Sequence, residues 1–82
     1  MDYIKILHDL CVELVEDKAH LKVKEMPSLE ENEIVLYIYA NQSDIAKLIG
    51  KKGAMANSIR QFMSVSGTLS EKKLTIKFES YE

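Results

Sequence analysis

Two glycines bracket two lysines in Leu48-Ile49-Gly50-Lys51-Lys52-Gly53, and this spacing suits a run of phosphates on a flexible strand. Glycine lets the backbone turn tightly and leaves its N–H groups open, with no Cβ in the way. A helix starting just after Gly53 directs its N-terminal N–H groups and positive dipole end at the same point. Lys51 and Lys52 add two cations at the loop tip. A four-residue G-x-x-G pattern recurs by chance, and two helix caps in an ordinary turn are the plain alternative. A turn, however, needs no paired lysines, so the weight falls on the elements around the loop.

Those elements are readable from hydrophobic period. Asp2 is placed to cap a first helix running to about Asp17, with Tyr3, Leu7, Leu10, Cys11, Leu14 and Val15 on one wide apolar stripe. Ile6 and Val12 lie off that stripe, and the polar side is acidic. From His20 to Met26 the period changes to two, with Leu21 and Val23 on one side and Lys22 and Lys24 on the other. Pro27 ends this strand, and 27–32 reads as a turn. Glu33–Ala40 is the clearest strand, with Ile34, Leu36 and Ile38 on one face and Val35, Tyr37 and Tyr39 on the other. The two strands are expected to pair as an antiparallel hairpin.

Ser43 is expected to cap a short helix, Asp44–Ile49, whose buried side is Ile45, Leu48 and Ile49; Gly50 then ends it in a left-handed conformation. A further helix is predicted after Gly53, running to about Val65, with Ala56, Ile59 and Met63 on one stripe, Phe62 beside it and Gly67 closing it. After a polar loop at 66–72, Lys73–Glu79 alternates again with Leu74, Ile76 and Phe78 inward, and the last residues are expected to fray. The second and third strands enclose a helix pair, so they should lie parallel with a right-handed crossover. The expectation is one α+β domain spanning residues 1–82, a three-stranded mixed sheet with three helices on one face.

Composition fits this picture. Eighty-two residues with 46 % apolar content make one small globular domain. No apolar run approaches a membrane span, and Asp2, Lys5, Asp9 and Glu13 argue against a secretory signal. The single Cys11 has no internal disulfide partner, which is compatible with a reducing cytoplasm. A net charge of −2 runs against a simple nucleic-acid reading. Yet residues 1–33 hold nine acids and four bases, while 34–82 hold four acids and seven bases. Between Ile45 and Ser70 stand Lys47, Lys51, Lys52 and Arg60 with no acid at all. The global charge conceals a local basic patch.

Other candidates are weaker. Tyr37 and Tyr39 fall on the sheet face away from the helices, beside Lys22, Lys24 and Lys77. They suit base stacking or a protein interface, and protein contact is the favoured functional reading. His8 and Cys11 stand three apart on the first helix, but two ligands do not make a metal site and Cys11 falls in the apolar stripe. No cofactor motif is present, and His20 at a strand start carries no argument. The loop lacks the G-x-x-x-x-G-K-[ST] spacing of a nucleotide-hydrolysing P-loop, and nothing links Cys11 to a base, so no enzyme is expected.

Ile49-Gly50-Lys51-Lys52-Gly53, followed by Ile59-Arg60, resembles the signature of KH domains, and the α-β-β-α-α-β order is similar to the type II version. An isolated domain of this length resembles the small bacterial single-KH proteins of the KhpA type, over roughly Tyr3 to Phe78. The resemblance implies cytoplasmic single-stranded RNA binding without catalysis. On matching positions Gly50, Lys51, Lys52 and Gly53 form a backbone clamp, Ile45, Leu48 and Ile49 support a groove floor for bases, and Arg60 reaches a phosphate. It also implies a larger KH-containing partner of the KhpB/Jag type, self-association, and an RNA-chaperone role linked to cell elongation and envelope homeostasis. Ala54 and Met55 depart from the pattern, since relatives often carry Arg and a small polar residue there; one phosphate contact is thereby removed. Weak, salt-sensitive binding with little base discrimination is the expectation.

Overall fold

A computed structural model describes the backbone of residues 2–69 and 71–81, and the side chains of those outside 66–69. The chain order is α1 (Tyr3–Val12), β1 (Lys22–Met26), β2 (Glu33–Ala40), α2 (Gln42–Ile49), α3 (Ala54–Leu69) and β3 (Lys73–Ser80), with short 3₁₀ turns at Lys18–His20 and Lys51–Gly53. β2 is the central strand, antiparallel to β1 and parallel to β3. Lys22 faces Tyr39 across the first pair, and Glu33 faces Lys73 across the second. This is the α+β arrangement of the type II KH fold.

The pleat decides which residues meet the helices. Leu36, Ile38 and Ala40 of β2 and Ile76 of β3 are buried on the inner face. They pack with Leu7 and Cys11 of α1, Ile45 and Leu48 of α2, and Ile59 and Met63 of α3 into one core. Burying each such aliphatic side chain contributes about 1.5–3 kcal/mol. Ile6 and Val12, off the expected stripe, are half-buried against the same core. Ile4 is the apolar α1 residue left exposed.

Several element boundaries differ from expectation. α1 begins as read, with the Asp2 carboxylate accepting from Lys5 N at 3.0 Å, but it ends at Val12 rather than Asp17. The cause is tertiary. The amides of Glu16 and Asp17 donate to the two carboxylate oxygens of Asp44, each at 3.0 Å. The Lys18 ammonium donates to the carbonyls of Val12 (2.8 Å) and Val15 (2.9 Å), serving the open carbonyl end of the helix. Leu14 and Val15 still reach the core, from a turn instead of a helix. β1 accordingly starts at Lys22, after the 3₁₀ turn occupies His20.

α2 starts at Gln42, one residue before the expected cap Ser43. Asn41 is the cap: its side-chain oxygen accepts from Asp44 N at 2.8 Å. Asp44 is thereby freed for the α1–β1 connection, and it is buried with those bonds made. α3 runs through Gly67 to Leu69, so the expected polar loop is shorter. Among the described residues no helix is long and apolar enough to cross a membrane.

Candidate nucleic-acid interface

The loop between α2 and α3 takes its shape from three left-handed residues. Gly50 has φ +76° with ψ 176°, a combination essentially confined to glycine; Lys52 has φ +57° and Gly53 φ +77°. Gly50 N donates to Ala46 O at 2.9 Å, ending α2, and Gly53 N donates to Gly50 O at 3.2 Å, closing the turn. The two glycines have different reasons to be glycine. A Cβ on Gly50 would stand 2.7 Å from Met55 Cβ and 2.9 Å from Met55 N, so the loop folds onto the first turn of α3 there. A Cβ on Gly53 would meet nothing within 4 Å. Gly53 is needed for backbone angle alone, and its surroundings are open.

Electrostatics sharpen the site. Lys51 and Lys52 are exposed, and among the described residues they make no ion pair. Lys47, the third lysine of the basic patch, is paired with Glu16 instead. The first turn of α3 holds no acidic side chain, so nothing on the helix opposes its positive end. The arrangement is a cationic, glycine-shaped corner at a helix N-terminus, suited to anionic oxygen ligands.

The remaining expected site residues separate. Leu48 is fully buried and Ile45 nearly so; both belong to the core under the loop. Ile49, expected on the buried side of α2, is 37 % exposed. It is the one of the three that offers apolar surface beside Gly50. Arg60 follows Gly53 by seven residues, two helical turns or about 10 Å along the same face of α3. Its Nη2 donates to Ile76 O at 3.3 Å and its Cζ lies 5.3 Å from the Phe78 ring centroid. That holds the guanidinium at the β3 edge, in a cleft of about 510 Å³ lined also by Ser64, Leu74 and Lys77. Most of its five N–H donors stay available. The sequence signal for this orientation was absent, because it depends on β3 lying next to α3.

Two further features were not visible in the sequence pattern. An apolar groove of about 460 Å³ runs between α1 and α3, lined by Leu10, Leu14, Met55, Ile59 and Phe62 with Asp9 and Glu13 at its rim. Phe62 is 52 % exposed there. On the opposite side of the molecule, Tyr81 stacks on Tyr39 instead of fraying. Cys11 lies in the core, where burial pushes its thiol up to about 12, so it stays protonated; His8 is half-buried beside Asp9. Among the described residues no group of three or more metal-ligating side chains occurs.

Compared with known families, residues 5–78 match the model described as KhpA/KhpB, KH domain. A comparison with curated proteins finds no match.

Proposed function

The chain belongs to the KhpA/KhpB KH-domain family, an RNA-binding family, and from that premise we propose that it binds single-stranded RNA through a phosphate clamp at Gly50, Lys51, Lys52 and Gly53. The observation that carries this is the loop conformation: three left-handed residues, two exposed lysines that make no ion pair among the described residues, and an acid-free helix start immediately behind them. Gly53 gives phosphate oxygens room to approach the backbone. Ile49 offers a base an apolar seat, while Ile45 and Leu48 hold it from beneath. Arg60 extends the cationic track towards β3. Contacts of this kind position a strand without reading it, so discrimination among bases is weak.

The same family supports the rest of the reading. The protein acts in the cytoplasm as an RNA chaperone or post-transcriptional regulator, without catalysis, in processes tied to cell elongation and envelope homeostasis. It works with a larger KH-domain protein of the KhpB/Jag type and also self-associates. A second reading, a protein-interaction adaptor with weak or partner-dependent RNA binding, is favoured by the groove between α1 and α3. Its exposed Phe62 suits an apolar anchor of that larger KH protein, and Asp9 and Glu13 suit basic residues around the anchor.

Fluorescence anisotropy with short single-stranded RNA, across a salt series, separates the two. Wild type is compared with Lys51→Asp/Lys52→Asp, whose fold is checked by circular dichroism. Loss of binding and of salt dependence in the variant is the expected result. Equal binding by both proteins overturns the clamp. Binding by neither protein alone favours the adaptor.

A further inference from the structure

The sheet face turned away from the helices carries an ordered aromatic ladder. Tyr37 and Tyr39 stack with ring centroids 6.0 Å apart, and Tyr39 and Tyr81 with centroids 6.1 Å apart, at interplanar angles of 23° and 26°. Both spacings lie in the range that aromatic pairs favour. Tyr81 is held in this position at two points: its hydroxyl donates to His20 O at 2.7 Å, and its N–H donates to Ala40 O at 3.3 Å. A platform fixed before binding loses little conformational entropy on binding. Tyr81 nevertheless remains 49 % exposed.

Cations outnumber acids on this face. By strand register, Lys22, Lys24, Lys73 and Lys77 share it with Glu33 and Glu79. Glu33 is engaged by the hydroxyls of Ser28 (2.5 Å) and Thr75 (2.8 Å). Lys24 Nζ lies 5.8 Å from the Tyr39 ring centroid, within cation–π range, and among the described residues none of the four lysines makes an ion pair. Lys22, Lys24, Tyr39, Ser80 and Tyr81 enclose a cleft of about 350 Å³ at the end of the ladder.

We propose that this open face is a second single-stranded RNA surface, on which Tyr37, Tyr39 and Tyr81 stack bases while Lys22, Lys24 and Lys77 neutralise phosphates. Aromatic side chains interleaved with cations are the pattern of surfaces that hold single strands without sequence preference. Sheet faces bearing aromatics hold RNA bases in other folds. Protein interfaces, in contrast, are depleted in lysine at their centres, and here Lys24 and Lys77 flank Tyr37 on the two neighbouring strands, while Lys22 and Glu79 flank Tyr39. Tyr81 fixed on the ladder, and lysines that make no ion pair among the described residues, reverse the preference for protein contact drawn from Tyr37 and Tyr39 beside these lysines. The ladder and the Gly50–Gly53 loop lie on opposite layers of the molecule, so one short strand covers one of them only. A longer RNA, or a second strand, engages both. The inference shares with the proposed clamp RNA as the ligand and no residue.

The test is aromatic and amide NMR with a twelve-nucleotide A/C RNA that cannot pair with itself, added to wild type, Lys51→Asp/Lys52→Asp, Tyr39→Leu/Tyr81→Leu and Lys22→Glu/Lys24→Glu. The lysine pair is exposed and tests the charge of the face without removing a ring from the ladder. Ring resonances of Tyr37, Tyr39 and Tyr81 should shift with RNA in wild type and in the loop variant alike. The tyrosine variant should bind at least about fivefold more weakly, the loss of one stacked base, and the lysine variant should bind more weakly with a shallower salt dependence, both with Gly50–Gly53 amide shifts retained. Since the chain has four tyrosines and no tryptophan, quenching of tyrosine emission gives an independent readout. Tyrosine rings unmoved by RNA while loop amides shift would overturn the proposal and leave the clamp intact. Rings that shift with protein concentration, and not with RNA, would overturn it in favour of a contact between copies.

Discussion

Gly50 and Gly53 occupy the same motif yet differ in what replaces them. Alanine at Gly53 meets open space and pays only for the left-handed backbone, about 1 kcal/mol. Alanine at Gly50 adds a clash with the Met55 backbone and Cβ to a φ/ψ combination that side chains avoid, and about 2–4 kcal/mol is expected. For a domain of this size each kcal/mol lowers Tm by about 4–8 °C. Thermal unfolding of Gly50→Ala should therefore fall at least twice as far below wild type as that of Gly53→Ala. Equal shifts would mean that the Gly50–Met55 contact carries no stability. Ile49 belongs to this scale too, because its exposure follows from the helix ending directly after it. No periodicity rule separates it from Ile45 and Leu48.

At the scale of elements, α2 is held at both ends by devices of different origin. Gly50 ends it locally, whereas Asp44 ties its first turn to the α1–β1 connection through Glu16 N and Asp17 N. Those two bonds, in that order of effect, lower the Asp44 carboxyl below its ordinary value of 3.8. A carboxyl lowered in the folded state stabilises it above the unfolded value, and that stabilisation fades as pH falls through the folded one. Asp44→Asn should therefore lower Tm at pH 7, and its difference from wild type should shrink below about pH 4. A difference constant between pH 7 and pH 2 would show that the ionised form has no special part. Glu33 follows the same sign, lowered by hydrogen bonds from Ser28 and then Thr75. Acid should thus loosen the β1–β2 connection and the β3 end of the sheet together with α2.

At the scale of the whole molecule, a net charge of −2 is divided so that acids dominate the first 33 residues and bases the remainder. On the proposed reading, local cations govern RNA contact while the total stays acidic. For single-stranded RNA each neutralised phosphate adds about −0.7 to the slope of log K against log salt. Replacing Lys51 and Lys52 by glutamine should make the slope shallower by about 1.4 in an anisotropy titration. An unchanged slope would place the phosphates elsewhere. The fold puts basic surface on both layers, the loop on one and the strand lysines on the other, so with both proposed surfaces in use RNA length should affect binding as well as salt.

Much of this architecture was legible without coordinates, because its signals are local. Asp2 capping α1, the bounds of Glu33–Ala40, the antiparallel and then parallel pairing, and the Gly-Lys-Lys-Gly turn each follow from residue type, period or element order within a short window. What the sequence did not disclose depends on groups distant in the chain. Asp44 stops α1 from 27 and 28 positions away. Arg60 is aimed by Ile76 and Phe78, and Tyr81 is fixed by His20, 61 positions earlier. Hydrophobic period reports which face of an element is buried. It carries no information on which polar group from another element will claim a helix-terminal amide, an edge carbonyl or a ring face, and here those contacts shaped the surfaces around the core.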